Sequence, residues 1–147
     1  MPFHLLSKPD DKRACEREML DVLGQDVDLI VLARYMQILG PEFVAHYLLR
    51  LINIHHSFLP AFVGAKPYHR AFERGVKLIG ATSHYVTADL DEEPIIEQDV
   101  VRVSHRDSVE DMLHKGRDLE KVVLSRAVRW HLKNCILVYQ HKTVVFV

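Results

Sequence analysis

The sequence predicts an α/β protein, and three observations carry that prediction. Segments whose apolar residues recur at helical spacing alternate with short, continuous apolar runs. One run, Asp28-Leu29-Ile30-Val31-Leu32-Ala33, is apolar almost throughout, as a strand covered on both faces requires. Another, Leu51-Ile52-Asn53-Ile54, passes directly into histidines, and in such sheets chemistry collects where strands end at their carboxyl side.

The elements follow in order. A first helix starts near Pro9-Asp10-Asp11, carries Ala14, Met19, Leu20 and Leu23 on one side, and closes at Gly24. The Asp28–Ala33 strand comes next. Pro41 suits a first helical position and opens a short helix from Glu42 to Tyr47. Leu51 to Ile54 is the second strand. Pro60 to Pro67 reads as loop, and Tyr68 to Arg74 as a short helix stopped by Gly75. Leu78 to Val86 and Ile95 to Val103 read as strands around the Thr87 to Pro94 turn. The longest helix runs from about Ser108 to Asn134, with Val109, Met112, Leu113, Leu119, Val122, Val123, Ala127 and Trp130 at helical spacing. A strand pair, Ile136 to Val138 and Thr143 to Phe146, closes the chain through Gln140-His141-Lys142.

Composition narrows the function classes. With 147 residues, 48% hydrophobic and 27% charged, one globular domain over residues 1–147 is expected. A net charge of −1 gives no electrostatic reason to expect nucleic acid or an anionic membrane as partner. No apolar run reaches membrane-spanning length, and Met1-Pro2-Phe3-His4-Leu5-Leu6 lacks the pattern of a signal peptide, so a cytoplasmic protein is expected. Cys15 and Cys135 are far apart and suggest neither a disulfide framework nor a zinc cluster.

The candidate chemistry lies in Asn53-Ile54-His55-His56-Ser57-Phe58-Leu59-Pro60 and in Leu90-Asp91-Glu92-Glu93-Pro94. Asn53 and His55, two residues apart on an extended strand, point to the same side and can reach one carbonyl. An unperturbed imidazole titrates near neutral pH, so His55 can move a proton, and Asp91 can hold that proton carrier in position. Plainer readings stand beside these: a turn-forming Asn, a histidine that satisfies loop backbone, and a solvated acidic turn. A metal site among His55, His56, His69, His84, Asp91, Glu92 and Glu93 lacks ligand spacing. No Gly-rich phosphate loop or nucleophile elbow is present. The residues by themselves reach acid–base work on a small carbonyl or acyl compound.

Those residues resemble the formyltransferase-domain family that uses 10-formyltetrahydrofolate. Its motif is Asn-x-His at a strand end, then Ser-x-Leu-Pro, then a distant Leu-Asp-x-Gly-Pro loop. Asn53, His55, Ser57, Leu59, Pro60, Leu90, Asp91 and Pro94 fall on those positions. The likeness is closer still to the deformylase branch and covers nearly the whole chain, including Ala33 to Leu39, His55 to Phe62, Gly75 to Thr82, Glu97 to Val101, Ser104 to Ser108 and Val122 to Trp130. It implies hydrolysis of 10-formyltetrahydrofolate to tetrahydrofolate and formate, the formate feeding purine synthesis. The folate is then the substrate, and no cofactor or metal is implied. Asn53 would donate to the formyl oxygen as it becomes an oxyanion, a donor typically worth about 3–4 kcal/mol. His55 would assist by proton transfer or as an imidazolium, and Asp91 would steer the attacking water and take its proton, or hold His55 charged. The pterin would dock near Met36, Gln37, Ile38 and Leu39 and near Thr87, Ala88, Asp89, Leu90 and Glu93, with His84 supporting from behind.

Two departures qualify the resemblance. The family loop carries Gly where this chain has Glu93, so a left-handed backbone there would have to be adopted by Glu93 or avoided by a reshaped loop. Family enzymes also carry a regulatory domain and two strand–helix units ahead of the point matching Pro2 to Leu6. The implied fold is therefore the C-terminal part of a Rossmann-like, mostly parallel formyltransferase sheet lacking its first strand–helix units. An apolar edge beside the Leu29 to Leu32 strand would be left open, and self-association into a homo-oligomer, domain swapping or poor stability is expected. Two other readings remain: formyl transfer to an amine acceptor, and a non-catalytic remnant that binds folate or oligomerises.

Overall fold

A computed structural model describes residues 3–6, 11–24, 26–35, 37–57, 66–88 and 93–147. Helix α1 spans Lys12–Leu23, and its boundaries are local chemistry. The Asp11 carboxylate accepts from the Arg13 N–H at 2.9 Å, satisfying one of the orphan donors of the first turn. Strand β1 spans Ile30–Leu32, helix α2 Pro41–His46 with Pro41 in the first turn, and strand β2 Leu51–His55. Helix α3 covers Pro67–Arg74 and ends at Gly75, whose φ of 66° is the left-handed conformation that glycine adopts without a Cβ penalty. Strands β3 (Leu78–Tyr85) and β4 (Ile95–Arg102) follow. Helix α4, Val109–Leu132, opens on a capping box in which Ser108 and Asp111 satisfy each other's backbone N–H. Strands β5 (Ile136–Tyr139) and β6 (Lys142–Val145) form a separate hairpin.

The main sheet has the order β1-β2-β3-β4. Strands β1 and β2 pair in parallel, Leu32 opposite Asn53. Strand β3 then runs antiparallel to β2, and β4 antiparallel to β3. The described sheet is thus mixed, one parallel pair beside two antiparallel pairs, within the expected α/β class. Connection length sets the β3–β4 pair, since residues 86–94 between them are too few for the crossover helix that a parallel pair needs. A register shift between Ser83 and His84 marks a bulge in the β3–β4 ladder.

Both faces of this sheet are covered. Leu32, Leu39, Phe43, Val44, Tyr47, Leu51 and Val86 form one core cluster, packed on by Met19, Leu20 and Leu23 of α1. On the other face Ile52, Tyr85 and Ile96 meet Ala127 of α4, flanked by Leu124, Val128 and Trp130. Each large apolar side chain so buried contributes roughly 1.5–3 kcal/mol. Helix α3 closes a third cluster through Tyr68 and Ala71 against Ile79, Val103 and Met112. At the outer edge Val31 remains 40% exposed, beside an apolar groove lined by Val31, Leu124, Val128 and Leu132.

Candidate active site

Strand alternation builds the site. Residues 51, 53 and 55 of β2 share a face, and the antiparallel register sets Asn53 opposite His84 and His55 opposite Thr82. Asn53, His55, Thr82 and His84 therefore project from one face of the same ladder. The residues between them belong to the other face, where Ile52 and Tyr85 meet α4. Asn53 and His55 stand at the carboxyl end of β2, and β2 extends one residue beyond its predicted end to include His55.

Tertiary pairing organises Asn53 further. Its Nδ2 lies 3.4 Å from Nε2 of His84. The other ring nitrogen, Nδ1, faces two acceptors: the Tyr85 carbonyl at 3.3 Å and the Glu93 carboxylate at 3.1 Å. Acceptors on that side place the ring proton on Nδ1, which leaves Nε2 to accept from the Asn53 amide. Burial pushes the His84 pKa down to about 4, although its hydrogen bond to Tyr85 acts the other way. The Glu93 carboxylate also favours a charged ring. That carboxylate keeps contact with water, whereas the His84 side chain is 3% exposed, so burial outweighs it and favours the neutral ring. Asn53 Oδ1 is buried without a partner among the described residues, and one Nδ2 hydrogen remains for an incoming acceptor.

His55 is half-buried, and burial followed by the neighbouring His56 lowers its pKa, so the free base is favoured near neutrality. The two rings stack with centroids 5.1 Å apart. The turn that follows is tied back to the sheet by a relay absent from the sequence expectations. Gln98 Nε2 donates to Thr82 Oγ1 at 2.9 Å, and Thr82 Oγ1 donates to the Ser57 carbonyl at 2.9 Å. Its signal in the sequence is the polar run Thr82-Ser83-His84, set inside a strand that is otherwise apolar.

The remaining candidates are distributed unevenly. Gln37 and Ile38 are exposed, while the Leu39 side chain is committed to the core. Thr87 is half-buried, Ala88 exposed, and Glu93 turned onto His84. Glu93 has no positive φ, so the glycine position of the family loop is filled here by ordinary backbone. Met36, Asp89, Leu90 and Asp91 lie outside the described residues, as do Leu59 and Pro60. A cavity of about 430 Å³ adjoins the histidines, walled by His56, Ser57, Tyr68, Ala71, Leu78 and Val100. Its lining is almost wholly apolar and contains neither Asn53 nor His55, which stand on the ladder beside it. An amide donor and a neutral imidazole on one strand end can polarise a carbonyl and carry a proton.

The formyl transferase family model matches residues 2–128. A formyltetrahydrofolate deformylase from Bacillus subtilis is 62% identical over 148 aligned positions, covering 99% of this chain and 49% of that protein. The crystal structure of a formyltetrahydrofolate deformylase from Pseudomonas syringae pv. tomato superposes with a TM-score of 0.91 at 59% identity, over 99% of this chain and 49% of that one. That of glycinamide ribonucleotide transformylase 1 from Symbiobacterium toebii gives 0.84 at 32% identity, over 94% and 66%. The chain spans about half the length of the curated deformylases it matches.

Proposed function

This chain belongs to the formyl transferase family, and on that premise we propose that it hydrolyses 10-formyltetrahydrofolate to tetrahydrofolate and formate. The observation that carries the proposal is the placement of Asn53 and His55 on one face of a strand end in a chain 62% identical to a formyltetrahydrofolate deformylase. The Asn53 Nδ2–H donates to the formyl oxygen and stabilises it as negative charge develops; such a donor is typically worth about 3–4 kcal/mol. The oxygen of water bonds to the formyl carbon while neutral His55 takes its proton. The carbon–N10 bond then breaks, the proton passes to N10, and formate leaves. Asp91 directs the water or holds the imidazole during this transfer. The reaction needs no resident cofactor, and the formate released serves purine synthesis in the cytoplasm. In the described sheet β1 is an edge strand with Val31 exposed beside an apolar groove, and this supports self-association, readable as a sedimentation coefficient above that of a monomer.

A second reading, transfer of the formyl group to an amine, is favoured by the likeness to the glycinamide ribonucleotide transformylase. One assay separates them: the purified chain is incubated with 10-formyltetrahydrofolate, with and without an amine acceptor, and tetrahydrofolate and formate are measured. Release without acceptor that is lost in His55→Ala and Asp91→Asn supports hydrolysis. Release that requires the acceptor supports transfer, and folate binding without turnover supports a non-catalytic remnant.

A further inference from the structure

The contact between Glu93 and His84 lies behind Asn53, away from any atom the proposed reaction changes. Three groups stand in line: Glu93 Oε2 at 3.1 Å from His84 Nδ1, and His84 Nε2 at 3.4 Å from Asn53 Nδ2. A neutral imidazole has one proton to place, and the two nitrogens cannot both donate. With the proton on Nδ1, Nε2 accepts and the Asn53 amide turns its NH2 toward the ring. With the proton on Nε2, the amide must rotate to offer its oxygen, and its hydrogens move to the place Oδ1 now occupies. The tautomer of His84 therefore decides where the Asn53 donor points.

The Tyr85 carbonyl also faces Nδ1, at 3.3 Å, but it belongs to the adjoining residue and is the more distant of the two acceptors. Glu93 supplies the nearer acceptor and a full charge, which makes the hydrogen bond stronger than one to a neutral carbonyl. We propose that Glu93 is a positioning residue: it holds the His84 ring proton on Nδ1 and so fixes the direction in which Asn53 donates to the substrate carbonyl. This deepens the hydrolase reading, since the carbonyl concerned is the formyl group. It also gives Glu93 a role at a position where the family motif carries glycine, with no backbone strain.

The test separates positioning from the reaction. In protein labelled with 15N-histidine at pH 7, the His84 signals are identified by their loss in His84→Asn, and their nitrogen shifts report the tautomer. The expected result is a single Nδ1–H form in the native chain and in Glu93→Gln, whose amide oxygen still accepts. Glu93→Ala is expected to populate both forms. In the deformylation assay Glu93→Ala lowers kcat on the order of 10-fold, the scale of one misdirected hydrogen bond, leaves KM unchanged, and is rescued by Glu93→Gln. An Nε2–H form in the native chain overturns the proposal, as does a Glu93→Ala variant that keeps a single Nδ1–H form. A Glu93→Gln variant that loses as much activity as Glu93→Ala also overturns it, because charge rather than proton position would then be acting. A chain without turnover removes the hydrolase reading and leaves the tautomer measurement to decide the positioning.

Discussion

The two faces of the β2–β3 ladder are built from alternate residues of the same strands and have opposite characters. On one face Ile52 and Tyr85 bury apolar surface against Ala127, Leu124 and Val128 of α4, and Tyr85 ends in a hydrogen bond to His131 at 2.8 Å. On the other, Thr82 and His84 are buried and Asn53 and His55 half-buried, yet Asn53 Oδ1 has no partner among the described residues. An apolar face has one task, and every atom in it is repaid by packing. A polar face held dry carries a standing desolvation penalty, which persists only where the unpaired groups have work to do.

Substitutions on the two faces should therefore read out differently, and three of them, with a fourth away from both, order the contrast by size. Ile52→Ala removes a fully buried side chain from the α4 face and should destabilise the chain by about 2–5 kcal/mol in urea unfolding. Asn53→Ala, the next residue, should lower kcat/KM about 10²–10³-fold in the deformylation assay, roughly 3–4 kcal/mol of barrier. Its effect on unfolding should stay within about 1 kcal/mol, because the hydrogen bond from Nδ2 to His84 is long and the deleted Oδ1 has no partner among the described residues. A large stability loss in Asn53→Ala with normal kcat/KM would erase the distinction between the faces.

The third prediction concerns pH. The folded His84 pKa, about 4, lies below its ordinary 6.5, so the unfolded chain binds the proton more readily. Stability from this group is complete above pH 6.5 and is lost as pH falls toward 4, by up to about 3 kcal/mol. His55 and His131 act in the same direction. His84→Asn should flatten the profile between pH 6.5 and 4, measured as the urea midpoint against pH. The smallest effect lies away from both faces: Ser108→Ala opens the capping box of α4 and should cost about 1 kcal/mol with no change in kcat.

Features set by neighbours in the chain were legible. The caps at Asp11, Ser108 and Gly75 and the first-turn proline at Pro41 are local chemistry, and the observed elements begin and end within a residue or two of them. The shared side of Asn53 and His55 follows from the two-residue period of a strand. The direction of β3 did not follow, because parallel and antiparallel strands covered on both faces read alike as apolar runs. The pairing of Asn53 with His84 spans 31 residues, and the Gln98–Thr82–Ser57 relay joins β4, β3 and the turn after β2. Neither has a sequence period to betray it.

By itself the sequence determined where helices and strands begin, which residues alternate toward a core, and which side of β2 carries an amide and an imidazole. Those depend on steric and hydrogen-bonding rules that act over a few residues. Only the tertiary structure decided that β3 runs back against β2, that His84 backs Asn53, and that Glu93 turns onto His84. Such choices rest on register between distant segments and on burial. Both are properties of the packed chain, and no stretch of sequence carries them alone.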